Sequence, residues 1–177
     1  MGKILIVHGG HDGQTRKIAE HIAGRLRDRR QEAEVVDAST LGPQFSLAGY
    51  DTVVIGAAVR MGQHSPAIAE FVRKHGEALA HRRGAFFSVC LAAASPRPER
   101  RAQTGQWSEQ FFDNTGWRPP HAAVFAGALR YRHYNVLLRL LMKRIARAEG
   151  ISTDTSRNHE FTDWRAVERF ADELAGS

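Results

Sequence analysis

Residues 8 to 15 read His-Gly-Gly-His-Asp-Gly-Gln-Thr, and they follow an apolar run, Ile4-Leu5-Ile6-Val7. After them Ile18, Ile22 and Leu26 recur four apart, the spacing of one helix face. Glycines between a buried strand and a helix permit a tight turn whose N–H groups point inward, and the helix N-terminus adds partial positive charge. Gly10, His11, Asp12, Gly13, Gln14 and Thr15 are therefore a candidate monophosphate loop. The lysine of GxxxxGK[ST] is missing and the spacing is not GxGxxG, so the loop is neither a P-loop nor a dinucleotide fingerprint. Asp12 reads as a turn-capping residue rather than an acid.

Two more loops would complete such a site. Ala57, Ala58, Val59, Arg60, Met61 and Gly62 follow one apolar run; Ser88, Val89, Cys90, Leu91 and Ala92 follow another. Small residues there leave room for a flat ring. A phosphate tail in the first loop and a ring between the other two describe FMN. No His, Glu or Lys stands out as a general base, and none is named. Cys90, at a strand end, reads as a small buried residue rather than a reactive thiol. His64, His75, His81, His121 and His133 lack metal-ligand spacing and read as surface residues. Trp107, Trp117 and Trp164 read as core or helix-packing residues.

The elements that must hold these loops are five β-prone runs: 3–8, 33–37, 52–57, 84–90 and 122–127. Several are apolar at consecutive positions, as in Val53-Val54-Ile55, the mark of strands buried on both faces. Helical patterns separate them. Ser65-Pro66 opens one, Trp107, Phe111 and Phe112 mark another, and Asp163 caps the last, which carries Val167, Phe170, Ala171 and Leu174. The alternation implies a doubly wound α/β sheet, with ligands at the carboxyl ends of its strands. No linker or repeat interrupts 1–177, which reads as one domain. Residues 92–106, rich in Pro and Arg, read as a surface loop. Residues 129–150 contain an amphipathic helix with two stripes, Leu137-Leu141-Ile145 and Arg139-Lys143-Arg147.

The formal charge is +6, and segment 129–150 carries most of it, with six basic residues against one acid. A basic surface fits an anionic partner. The single cysteine rules out an intramolecular disulfide and fits a reducing, cytoplasmic compartment. No run approaches the roughly 20 apolar residues of a membrane span, so membrane contact would be peripheral. The few aromatics in the basic segment and the lack of a reader motif argue against nucleic-acid binding.

In order along nearly the whole chain come Asp12-Gly13-Gln14-Thr15-Arg16, Val54-Ile55-Gly56-Ala57 with Arg60 and Gly62, and Glu70-Phe71-Val72 with Lys74-His75. Phe87-Ser88-Val89, Trp117-Arg118-Pro119 and Ala126-Gly127-Ala128-Leu129-Arg130-Tyr131 follow, then Thr153-Asp154-Thr155 and Thr162-Asp163-Trp164. This series resembles the flavodoxin-like, quinone-dependent protoporphyrinogen IX dehydrogenases of haem biosynthesis. The resemblance implies a five-stranded parallel sheet in the order 2-1-3-4-5, with residues 129–150 as the family's insertion near the last strand. It also implies non-covalent FMN, a porphyrinogen substrate and electron transfer to a membrane quinone. The chain differs from the family pattern at Gly9-Gly10, where Ser-Thr is usual, and at His11, Met61 and Cys90. Two hydroxyl donors to phosphate are thereby lost, each worth about 1.5–3 kcal/mol.

Within that reading, Arg130, Arg132 and Arg139 meet propionates, since guanidinium matches carboxylate geometry. Tyr131 and Tyr134 stack on the macrocycle or anchor at a lipid interface. Lys143 and Arg147, with the rest of the basic helix, lie on anionic lipid at the inner face of the cell membrane. Three alternatives stand beside it. The apolar stripe docks on the domain's own core or on a second subunit. The chain is a general flavodoxin-type electron carrier or quinone reductase, although such carriers tend to be acidic. Or it is a binding scaffold that has lost FMN.

Overall fold

The computed structural model describes residues 2–176. Strands β1 (Lys3–Gly9), β2 (Glu32–Asp37), β3 (Thr52–Arg60), β5 (Arg83–Cys90) and β6 (His121–Ala126) form a parallel sheet in the order β2-β1-β3-β5-β6. The short β4 (Gln63–His64) folds back antiparallel on β3. With that hairpin set aside, the order is the expected 2-1-3-4-5. The central strands are buried on both faces, which is why they are apolar at successive positions.

Helices α1 (Gln14–Asp28) and α5 (Trp164–Gly176) cover one face, with Ile18, Ile22 and Leu26 packed beside Val167, Phe170 and Leu174. Helices α2 (Pro66–Ala80) and α3 (Pro98–Thr115) cover the other, around Ile68, Val72, Phe86, Phe111 and Phe112. Asp163 caps α5 as expected, accepting bonds from the Arg165 and Ala166 N–H groups at 3.0 and 3.2 Å.

The expected surface loop over 92–106 is corrected. Only residues 91–97 connect β5 to α3, and four of them form a 3-10 turn. Pro98 occupies the first helical position, with Glu99 in the first turn, and both favour a helix start there. The arginines that suggested a loop are the helix's first turns.

Beyond β6 the chain makes its excursion. Strands β7 (Ala128–Leu129) and β8 (His159–Glu160) pair antiparallel as its stem, and α4 (Val136–Glu149) is its main element. Asn135 caps α4 by accepting from the Leu138 N–H at 2.8 Å, and Gly150 ends it in the left-handed region. Helix α4 docks through Leu138, Met142, Ile145 and Ala146 onto Leu129, Tyr131 and Tyr134. No described helix is long and apolar enough to cross a membrane.

Candidate active site

A cavity of about 550 Å³ opens at the carboxyl ends of β1, β3 and β5. That is where a doubly wound sheet reverses its direction of winding and leaves a crevice. Asp12, Gln14 and Thr15, then Ala58 through Gly62, then Val89 through Ala92 line it. Three separate loops expected from the sequence thus converge on one space.

The phosphate loop has the local features of an anion cradle. Gly13 takes φ +76, where a side chain is strained, and opens α1 with no side-chain cap. The first turn of α1 carries no acidic residue, so its N–H groups face the loop uncompensated. A Cβ on Gly10 would stand 2.8 Å from Thr15 Oγ1 and 3.0 Å from Ala58 Cβ, so a side chain there would require Thr15 or Ala58 to move. The mouth is framed by Arg60, whose Nη2 lies 3.7 Å from Asp12 Oδ1. Met61 sits at the β3–β4 turn with φ 53 and is 85% exposed, free to cover a ring placed beneath it. Burial pushes the Cys90 thiol up to about 11, so it stays protonated and behaves as a small cavity-wall group. These residues fit FMN: an uncapped helix start for its phosphate and narrow, small-residue walls for its ring.

Five expected site residues do not line the cavity. Gly10, His11 and Gly13 form the rim of the phosphate loop, Ala57 is buried in β3, and Ser88 is buried in β5. Ser88 is hydrogen-bonded at 2.9 Å to Nε2 of His64. The surface reading of His64 is corrected: its ring packs on Phe86 and Phe111 with centroids 5.4 and 5.0 Å away. Burial lowers its pKa to about 4, so the imidazole is neutral at pH 7.

Sequence reasoning missed the far wall. Arg100, Gln103, Gln106 and Trp107 reach the cavity from α3, and Met142, Ile145, Ala148 and Glu149 from α4. Trp107 is therefore a cavity residue as well as a packing residue, with its ring edge against Gly62. The readable signal was Pro98-Glu99 as a helix start, which puts Arg100, Gln103 and Trp107 on one face at spacings of three and four. Arg100 forms a double hydrogen bond to the buried carboxylate of Glu149 and also bonds Gln103. The Ser95 hydroxyl donates to the Glu149 carbonyl at 2.7 Å, so the end of α4 is fixed both to α3 and to the connection before it.

The residues expected at substrate or membrane are placed differently from one another. Tyr131 is fully buried and Tyr134 is buried as well, with rings edge to face at 6.1 Å. They pack under α4, so neither is open to a macrocycle or to lipid. Arg139 donates to the Tyr131 and Tyr134 carbonyls at 3.3 Å and braces the turn before α4. Arg132 and Arg147 are exposed, and Lys143 is half-buried. Arg130 stands over the phosphate loop, bonded to Gln14.

Comparison with known proteins agrees with this geometry. The flavodoxin-domain model matches residues 5–156. A flavodoxin from the domain Archaea superposes with a TM-score of 0.53 at 14% identity, covering 98% of this chain and 96% of that one. Fold and site thus define a flavodoxin-type domain. The protoporphyrinogen IX dehydrogenase [quinone] of Escherichia coli K12 is 41% identical over 98% of this chain and 94% of its own length. That of Leishmania major is 36% identical over 98% of this chain and 74% of its own. The chain belongs to the flavodoxin-like protoporphyrinogen IX dehydrogenase family.

Proposed function

We propose that this protein is an FMN-dependent protoporphyrinogen IX dehydrogenase that passes electrons to a membrane quinone. The carrying observation is identity to the Escherichia coli enzyme along nearly the full length of both chains. The cavity supports it, because the three flavin loops form one wall and α3 and α4 add a second, leaving room for more than a flavin ring. Bound FMN supplies the chemistry, accepting hydrogen from a reduced macrocycle and releasing electrons to a quinone. The chain's own residues position and shield. The loop of residues 10–15 would hold the phosphate, Ala58 to Gly62 and Val89 to Ala92 would flank the ring, and the far wall offers apolar Trp107, Met142 and Ile145 beside polar Arg100, Gln103 and Gln106.

The test is direct. Purified protein titrated with FMN gives a saturating shift of the flavin absorption band, and the loaded protein turns protoporphyrinogen into fluorescent protoporphyrin when a quinone is present. A protein that takes up no flavin would favour the scaffold reading. One that reduces quinones with other donors but leaves porphyrinogen untouched would favour a general quinone reductase.

Localisation follows from α4 in the same proposal. Its outward face carries Val136, Leu137, Leu140 and Leu141, between 46% and 80% exposed, in its first two turns. Arg144 and Arg147, both exposed, follow in its later turns. Apolar side chains beside cations suit the headgroup region of an anionic bilayer, at about 1 kcal/mol per cation. In this reading the protein is cytoplasmic and peripheral on the inner membrane face, an arrangement that would bring the cavity wall to the quinone. Leu137→Ser/Leu140→Ser and Arg144→Gln/Arg147→Gln should each weaken binding to phosphatidylglycerol vesicles about tenfold or more, with FMN still bound. Unchanged vesicle binding, or a dimer in solution that buries these leucines, would overturn the membrane role.

A further inference from the structure

Arg130 lies on the excursion beyond β6, far in sequence from the phosphate loop, yet its guanidinium meets that loop. Nη2 donates to Gln14 Oε1 at 3.3 Å, and the guanidinium carbon and both Nη atoms lie 3.9 Å from where a Gly13 Cβ would stand. We propose that Arg130 is the cationic clamp of the flavin phosphate, reaching from the excursion to the loop at the start of α1. The inference rests on the FMN reading and assigns a residue within it.

Three observations carry it. The first is charge accounting around the loop. Arg60 faces Asp12, Lys17 is bound to Glu160 at 2.5 Å, and Arg16 is 3.9 Å from Glu20. Arg130 has no carboxylate within 4 Å among the described residues, and its guanidinium bonds only a neutral amide oxygen. A half-buried cation without a counter-charge at an uncapped helix N-terminus is electrostatically incomplete. A phosphate dianion completes both at once.

The second is that Arg130 is held in place. Gln14 donates from Nε2 to Glu160 Oε2 at 3.2 Å and to Thr162 Oγ1 at 2.9 Å, which leaves Oε1 turned toward Arg130. The Arg130 backbone N–H donates to the Tyr134 hydroxyl at 3.2 Å, and Leu129 before it is pinned in the β7–β8 pair. The side chain is thus preorganised by elements from three parts of the chain.

The third is a shortage of donors. Of residues 9 to 15, only Thr15 brings a hydroxyl, because Gly9 and Gly10 carry no side chain. A guanidinium supplies two parallel N–H donors that match a phosphate edge.

The experiment compares FMN with riboflavin, which lacks the phosphate, on flavin-free protein by fluorescence quenching. Arg130→Gln should weaken FMN about 10- to 100-fold and leave riboflavin unchanged, and Arg130→Lys should recover part of the loss. Raising salt from about 20 to 500 mM should weaken FMN more in the wild type than in Arg130→Gln. That comparison remains decisive if riboflavin binds too weakly to measure. Equal losses for both flavins, or unchanged FMN affinity and salt response in Arg130→Gln, would overturn the clamp and leave the FMN reading intact. A wild type that binds no FMN would overturn both.

Discussion

Replacing Glu149 with leucine should destabilise the protein by about 2–3 kcal/mol, and adding Arg100→Met should recover most of that loss. Glu149 is 6% exposed and receives a double hydrogen bond from Arg100 across the cavity wall. Removing one member of a buried pair leaves the other charge desolvated, at a cost of about 3–5 kcal/mol. The Arg100 side chain is 29% exposed and can partly rehydrate, which places the expectation below that range. Replacing both members with apolar groups removes the stranded charge, and such exchanges are often neutral. Urea denaturation of the two single variants and the double variant gives the coupling energy. A Glu149→Leu cost below about 0.5 kcal/mol would show the pair to be screened by solvent. The effect also reaches the site. Without the pair, α4 keeps the Ser95–Glu149 contact, the Arg139 bonds near its start and a small apolar cluster, so proteolysis within 130–150 should accelerate toward its C-terminal end.

That pair also shows where sequence reading runs out. The sheet was legible because Ile4 to Val7, Val53 to Ile55 and Ala85 to Phe87 are apolar at successive positions, and strands buried on both faces admit little else. The three loops were legible because glycines and small residues end those strands, and ligands gather at strand ends in this architecture. The wall from α3 was not legible, since Arg97 between two prolines, with Arg100 and Arg101 after them, resembles a solvated loop until Pro98 is taken as a helix start. The tyrosines misled because a Tyr beside arginines suits an interface as well as a core. Their hydroxyls are satisfied internally, Tyr131 donating to the Ser152 carbonyl at 3.2 Å and Tyr134 accepting from Arg130. The stripe of Leu137, Leu141 and Ile145 was real but split: its first two members face outward, and Ile145 turns into the cavity wall. Arg130 reaches Gln14 across 116 positions. Contacts at that separation depend on the path of the excursion, and no local pattern encodes it.

His64 should give the protein an acid limit set by a single side chain. Its pKa falls to about 4 because burial penalises the imidazolium, and no carboxylate offsets that. An unfolded histidine titrates near 6.5. Between those values the unfolded chain holds a proton that the folded chain refuses, so stability falls as pH drops from about 6.5 to about 4 and changes no further below that. The full span is about 2.5 units, or about 3 kcal/mol. His64→Gln keeps a partner for the Ser88 hydroxyl and does not titrate. The difference in unfolding free energy between wild type and His64→Gln should be constant above pH 7 and shrink by about 3 kcal/mol by pH 4. His8, whose pKa burial also lowers, is present in both proteins and cancels from the comparison. Parallel profiles would mean that the ring is protonated in place, which the Phe86–Phe111 cage and the single Ser88 contact argue against. The limit bears on function because Ser88 precedes Val89 to Ala92. In the folded protein the ring takes up a proton only near pH 4, and a charged His64 leaving the cage there frees the strand end that shapes one side of the flavin cavity, so flavin release in wild type should set in near pH 4 and be absent there in His64→Gln.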